Sequence, residues 1–257
     1  MSERPLVLLT NDDGYQAAGL RALRDALRDW ATVIVVAPES EQSATSHTLT
    51  LHRPLRVREV EPAIFALDGS PADCVYLGMV ASERLLPRRP EMVVSGLNHG
   101  LNLGNDVFYS GTVGGAREGA LRGVPALACS AAGEANRTAA AQLAASVAHR
   151  LWRAWHAEPG RRAPLLSLNI PPGEGPWPLV ATTLGKRVYT DQVVFSRDPR
   201  GREYLWIGGA PQPHPGSIGT DTAAHDLGQA SLTPLVLDLT HAADASLTHA
   251  LVTGDDP

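Results

Sequence analysis

LVLLTNDDGYQAAGLRALRDALRDWATVIVVAP, residues 6–38, is the stretch that decides the fold. Leu6 to Thr10 is a short, continuously apolar run, as expected of a central parallel strand covered on both faces. Asn11-Asp12-Asp13-Gly14 follows as a polar turn. Leu20, Leu23, Leu27 and Trp30 then recur at spacings of three and four, which predicts a helix with one apolar face. Val33 to Ala37 is β-branched and stops at Pro38. Strand, helix and strand in succession make a βαβ unit, which implies a parallel sheet and a right-handed crossover.

The pattern repeats outward from this unit. Met92 to Ser95 reads as a strand, Gly96 to Gly111 as a Gly/Asn-rich loop, Thr112 to Leu121 as a helix and Ala126 to Ser130 as a strand. Thr138 to Trp155 is alanine-rich and places Leu143, Val147, Leu151 and Trp155 on one helical face. Leu165 to Ile170 reads as a strand stopped by Pro171-Pro172. Beyond about residue 175 the character changes. Leu179 to Thr183 and Val188 to Phe195 are rich in β-formers, and Asp198-Pro199-Arg200-Gly201 turns into Glu203 to Ile207, an antiparallel hairpin. Residues 208–221 read as a loop, Leu232 to Leu239 as a late strand, and 242–257 are weakly patterned. The expected fold is α/β, a doubly wound, Rossmann-like, mainly parallel sheet with a C-terminal antiparallel β-hairpin extension. Residues 1–175 would form the core that carries the site, and 176–257 an arm and C-terminal segment for oligomerisation.

The chain has 257 residues, 44% hydrophobic and 19% charged, enough to bury a sizeable core. No apolar run approaches the ~18 residues of a membrane span, and the N-terminus lacks the features of a secretory signal. Cys74 and Cys129 match no metal-ligand spacing and read as buried free thiols in a reducing compartment, so the expected location is cytoplasmic. A net charge of −5 argues against a nucleic-acid duplex or an anionic membrane as partner.

In an open parallel sheet, ligands bind beyond the carboxyl ends of the strands, at a topological switch point. The polar loops Asn11–Gly14, Ser40–His47 and Ser95–Gly100 fall at such ends. Asp12 and Asp13 repel each other there unless a cation neutralises them, and a hard divalent ion such as Mg²⁺ or Mn²⁺ wants this kind of oxygen donor. Ser43 and Asn98 offer neutral oxygens from the other two loops. The competing interpretation of the pair is a solvated turn with a helix N-cap. Tyr109-Ser110-Gly111-Thr112 opens a helix, and such a turn presents N–H groups and hydroxyls to a phosphate, with Gly111 permitting close approach. Ordinary capping by Ser110 or Thr112 is the alternative. No G-x-G-x-x-G follows the first strand, and the single lysine, Lys186, excludes a P-loop. There is no G-x-S-x-G elbow and no H-E-x-x-H; His47, His52 and His99 read as structural.

Leu8-Leu9-Thr10-Asn11-Asp12-Asp13-Gly14 resembles the signature of the SurE (survival protein E) family of nucleotidases. The similarity continues through Val35-Val36-Ala37-Pro38-Glu39, Gln42-Ser43, Gly69-Ser70-Pro71-Ala72-Asp73, Ser95-Gly96-Leu97-Asn98-His99-Gly100, Tyr109-Ser110-Gly111-Thr112, Asp198-Pro199-Arg200-Gly201 and Gly219-Thr220-Asp221. It spans roughly residues 5–240. Small departures are Ala18 where the family has proline, and Ser70 where it has threonine. The resemblance implies a metal-dependent phosphomonoesterase acting on nucleoside 5′- and 3′-monophosphates, with one Mg²⁺ or Mn²⁺ per subunit and a homodimer or homotetramer with exchanged C-terminal parts. It assigns Asp12, Asp13, Ser43 and Asn98 to the metal, and Ser110, Gly111 and Thr112 to the phosphate. Asp12, Asp13 and Asn98 are the expected catalytic residues, and Asn11 and Asn98 join the phosphate contacts. A broad phosphatase or exopolyphosphatase, and a non-catalytic metal and nucleotide sensor, are the alternatives. No residue is marked as reading the base; Tyr109, Phe108 and Trp206 are aromatics that could stack on one, with packing in the core or hairpin the expected role of each.

Overall fold

The computed structural model describes residues 4–190, 192–209, 211–212 and 216–254. In chain order the first half contains β1 (Leu6–Thr10), α1 (Ala18–Leu27), β2 (Thr32–Pro38), β3 (Val57–Glu61), β4 (Ile64–Leu67), α2 (Pro71–Val80), α3 (Ser82–Leu85), β5 (Met92–His99) and α4 (Gly111–Leu121). It continues with β6 (Ala126–Ala131), α5 (Arg137–His156), β7 (Leu165–Ile170), β8 (Leu179–Ala181), β9 (Val188–Tyr189), β10 (Gln192–Arg197), β11 (Glu203–Gly208), β12 (Pro211–Gln212), α6 (Asp221–Asp226), β13 (Ala230–Leu235) and α7 (Ala245–Thr253). Nine strands form one sheet in the order β3-β4-β2-β1-β5-β6-β7-β13-β8. The pairs among β4, β2, β1, β5, β6 and β7 are all parallel. Antiparallel pairing enters at β3 on one side and at β13 on the other.

Every residue of β1 is buried, because helices cover both faces of the sheet. On one side α1 and α5 enclose a core that includes Val7, Leu9, Leu20, Leu23, Leu27 and Leu127. On the other side the core includes Leu6, Leu8, Val36, Val75, Val113 and Ala116, from the strands with α2 and α4. Chain direction across the sheet reverses at β1, with β2 to one side and β5 to the other, so the loops after β1 and β5 meet at a switch point.

The expected doubly wound core and hairpin are present, with local differences. Beyond residue 175, β8 and β13 pair into the nine-stranded sheet. β3, β4, α2 and α6 are elements that apolar periodicity did not mark. α2 is announced instead by capping chemistry, with Ser70 and Asp73 in a reciprocal capping box and Pro71 at the first turn. Helix α5 presents Ala140, Ala141, Ala144, Ala145 and Ala148 to the sheet, with Val147. Leu143 and Leu151 only flank that contact. Small side chains let the helix lie close to the strands, so the large residues marked its edge. Val188 to Phe195 is divided between β9 and β10, and the late strand ends at Leu235. Within the expected loop 208–221, residues 210 and 213–215 lie outside the described residues, as do 255–257 of the tail, and β12 pairs with β9. Cys74 and Cys129 are free and buried, as expected. Among the described residues no helix is long and apolar enough to cross a membrane.

Candidate functional site

Asp12 is only 4% exposed, directly beyond β1. Its Oδ2 accepts a hydrogen bond from the Thr112 N–H at 3.0 Å, and its Oδ1 accepts one from the Thr112 hydroxyl. Asp13 is half-buried, and its Oδ2 accepts from the His99 N–H at 3.2 Å. Burial raises the pKa of Asp12 above the ordinary carboxylate value, and the neighbouring Asp13 charge adds to the rise against the Thr112 hydrogen bonds. Asp13 is raised in the same way by burial, with Glu41 adding its charge. Two adjacent carboxylates that resist ionisation in this environment are the kind of pair whose charge a bound cation would neutralise.

Asn98 reaches this point because β5 is irregular. Its pairing with β6 shifts between Ser95 and Asn98. Gly96 adopts φ +135°, and a Cβ there would lie 2.3 Å from the Cys129 carbonyl oxygen, so only glycine fits. The Asn98 amide donates to the Gly100 carbonyl at 2.9 Å, which leaves Oδ1 as the end available to the site. Ser43 lies on the loop after β2. That loop is held by Gln42 N–H to the Asp12 carbonyl at 2.7 Å and Ser46 N–H to the Tyr109 carbonyl at 2.9 Å. Ala44 and Ser46 take left-handed conformations at φ 58° and 55°, a strain of order 1 kcal/mol each that these anchors sustain. The Ser43 hydroxyl donates to Glu41 at 2.8 Å and keeps its lone pairs for another partner.

Asp12, Ser43, Asn98 and Ser110 line one cavity of about 710 Å³. Asp13 lines a neighbouring one of about 360 Å³, and Asn98 and His99 stand between the two. Two carboxylates with two neutral oxygens suit a hard divalent ion that keeps water and phosphate in its shell. Among the described residues no group of three or more His, Cys, Asp or Glu is placed to hold a metal ion, so an ion at this point would depend on neutral oxygens as well.

Ser110 caps α4, its Oγ accepting from the Val113 N–H at 3.1 Å. Thr112, expected on the phosphate, commits both its donors to Asp12. Gly111 permits a close approach, but by protein: a Cβ there would lie 3.0 Å from Asp12 Cβ and 3.0 Å from Thr45 Oγ1. Asn11 is fully buried and its amide donates to the Gly14 carbonyl at 2.9 Å, so it shapes the turn and does not line either cavity. His47 is structural, pairing with buried Glu118 at 2.8 Å. Of the three aromatics considered, Tyr109 lines the large cavity and Phe108 and Trp206 do not.

The far wall of that cavity has no signature in the sequence and comes from the arm: Tyr189, Thr190, Gln192, Val193 and Ile207. Asp106 and Asn102 also line it. Nothing in spacing joins residues some eighty positions apart; only the folded chain does.

With this geometry in place, three comparisons are informative. The sequence model of the family Survival protein SurE matches residues 7–191. The chain is 59% identical over 236 residues to the 5′-nucleotidase SurE of Sorangium cellulosum (strain So ce56), covering 92% of this chain and 91% of that one. It is 47% identical to the 5′-nucleotidase SurE of Geobacter metallireducens, covering 94% of each. The crystal structure of the SurE protein from Aquifex aeolicus superposes with a TM-score of 0.81 at 36% identity, covering 96% of this chain and 100% of that one. The family implies a divalent metal cofactor, which the carboxylate pair and its neutral oxygen neighbours fit. This chain belongs to the SurE family.

Proposed function

We propose that this chain is a phosphomonoesterase that hydrolyses nucleoside 5′-monophosphates, and 3′-monophosphates with them, to nucleoside and phosphate. One Mg²⁺ or Mn²⁺ per subunit would be held by Asp12, Asp13, Ser43 and Asn98. The relatives' activity supports the reaction class. The observation that carries the substrate class is the makeup of the large cavity. Beside the carboxylates its described lining includes Tyr109, Tyr189, Leu101, Val193 and Ile207, with no arginine or lysine. A neutral, partly aromatic nucleoside suits such walls. A polyphosphate chain needs counter-charge for each further phosphate and finds none there, which weighs against the exopolyphosphatase alternative.

An ion held by these four residues would supply charge neutralisation and a more acidic water. The chain's own groups do the rest. The Ser110 hydroxyl and the Gly111 N–H hold the phosphate oxygens, at the positive end of the helix dipole. Asp13 Oδ1, away from the His99 contact, orients the attacking water and takes its proton. Asp12 is fixed by Thr112 at both oxygens, which suits a ligand better than a nucleophile, so direct water attack is favoured over an aspartyl-phosphate.

An oligomer is supported by the hairpin of β10 and β11, in which Trp206 is 69% and Ile207 85% exposed. No residue of α7 is buried. The two free thiols support a reducing, cytoplasmic setting.

The test is phosphate release from a panel of 5′- and 3′-nucleoside monophosphates with Mg²⁺, Mn²⁺ or EDTA, repeated on Asp12→Asn. Metal-dependent release that the variant loses supports the proposal. Nucleotide binding without any release would point to a sensor.

A further inference from the structure

The large cavity has two walls from distant parts of the chain, and one carboxylate ties them together. Asp106 lies in the short 3-10 turn Gly104–Phe108 that runs into the phosphate turn. Its carbonyl accepts from the N–H groups of Tyr109 and Ser110, at 3.0 Å each. Its carboxylate reaches the other way: Oδ2 accepts from Arg187 at 2.8 Å and Oδ1 from the Tyr189 hydroxyl at 2.8 Å. The Arg187 guanidinium also lies 5.5 Å from the Tyr189 ring centroid. Burial and the Asp106 carboxylate push the Tyr189 phenol up to about 12, so it remains a donor throughout the neutral range.

A second tie holds the same two segments at their roots. Fully buried Asp221 accepts from the Gly104 N–H at 2.8 Å and from the Gly185 N–H at 2.7 Å. Gly104 is in the left-handed region at φ +52°, and a Cβ there would lie 2.7 Å from the Gly185 carbonyl oxygen. The backbones are therefore in contact below, and above them Asp106 sets where the Tyr189 ring stands.

We infer that Asp106 and Tyr189 are the specificity-determining pair for the nucleoside half of the substrate. Asp106 fixes Tyr189 as the arm-side aromatic wall of the cavity, with Tyr109 on the core side. The base or ribose is recognised by this pre-set ring, while the phosphate is recognised at the far end by the turn whose N–H groups the same Asp106 carbonyl holds. The inference rests on the nucleotidase proposal, since it concerns which ester that site prefers.

The experiment compares kcat/KM for a nucleoside 5′-monophosphate and for glycerol 3-phosphate, which carries the same phosphomonoester without a base. It uses the full chain with Mn²⁺, as wild type, Tyr189→Phe and Tyr189→Leu, with Tm measured on each. The nucleotide-to-glycerol-phosphate ratio should fall about tenfold in Tyr189→Leu, the loss expected for removing one aromatic stacking partner, and by a smaller factor in Tyr189→Phe, which keeps the ring and loses its tether. The change should lie in the nucleotide KM. A ratio unchanged in both variants, or kcat falling equally for both substrates, overturns the inference while leaving the nucleotidase intact. A wild type that turns over glycerol 3-phosphate as well as nucleotides overturns the nucleotidase proposal itself.

Discussion

Thr112 gives both its backbone N–H and its hydroxyl to Asp12, a residue 100 positions earlier in the chain. Helix α4 is thereby bolted to the first carboxylate beyond β1. Substituting Thr112→Val keeps the shape and removes one of the two hydrogen bonds. Apparent affinity for Mn²⁺ should fall by about 10–100-fold, the usual effect of losing an outer-shell partner. Activity titrated against free metal measures it; an unchanged metal midpoint would refute an orienting role for Thr112.

The carboxylate pair should also be visible in stability. Both pKa values are raised in the folded state, by burial first and then by neighbouring charge. The folded protein therefore holds protons that the unfolded chain has released, and stability falls as pH rises from the ordinary carboxylate range through the raised values. In EDTA, the Tm of wild type relative to Asp12→Asn/Asp13→Asn should drop as pH rises above the ordinary carboxylate range. Added Mg²⁺ should remove that drop, because the ion stabilises the ionised pair. A Tm difference independent of pH in EDTA would contradict the raised values.

Glu118 behaves oppositely. Burial pushes its pKa up, but hydrogen bonds from His47 and Arg122 outweigh that and hold it below the ordinary value. Its stabilising contribution is present at neutral pH and is lost as pH falls through that depressed value. Because His47 belongs to the segment that carries Ser43, the ion pair also clamps that segment to α4. At Gly114 a Cβ would lie 2.2 Å from the Ser46 carbonyl oxygen, so the two backbones touch. Glu118→Gln should cost about 1–3 kcal/mol and raise the metal concentration needed for half activity. Chemical denaturation and a metal titration read the two effects separately, and a normal metal midpoint in a destabilised variant would show that Glu118 serves folding alone.

The exposed hairpin yields a prediction about assembly. Side chains such as Trp206 and Ile207, 69% and 85% exposed, project from a two-stranded ribbon that shares no ladder with the core sheet. The double substitution Trp206→Glu/Ile207→Glu should reduce the assembly size measured by light scattering. An unchanged mass would move the interface elsewhere, with the C-terminal segment around α7 next to be tested.

Much of the fold was legible because its signals are local. The apolar run of β1, the leucine stripe of α1 and the proline after β2 each report on a few consecutive residues whose burial the period reveals. Elements with weak periodicity were not visible this way. β3 is largely exposed, and α2 is apolar on nearly all sides because it packs against both the sheet and its neighbour α4. The alanine face of α5 escapes apolar periodicity for a related reason. Hydrophobic size marks residues that fill space, whereas close helix-to-sheet packing selects residues that leave none.

The sequence by itself determined that two carboxylates stand beyond a central strand, that a hydroxyl-rich turn opens a later helix, and which family these belong to. Those facts rest on residue type and short spacing, which survive without coordinates. Only the tertiary structure decided how the pieces share work. Thr112 turned from the phosphate to Asp12, Asn11 withdrew into the turn, and Gly111 made room for protein instead of ligand. The arm brought Tyr189 to Asp106 across 83 residues of chain. Donors and acceptors are committed by distance and direction in space, and a linear chain fixes neither until its distant segments are packed together.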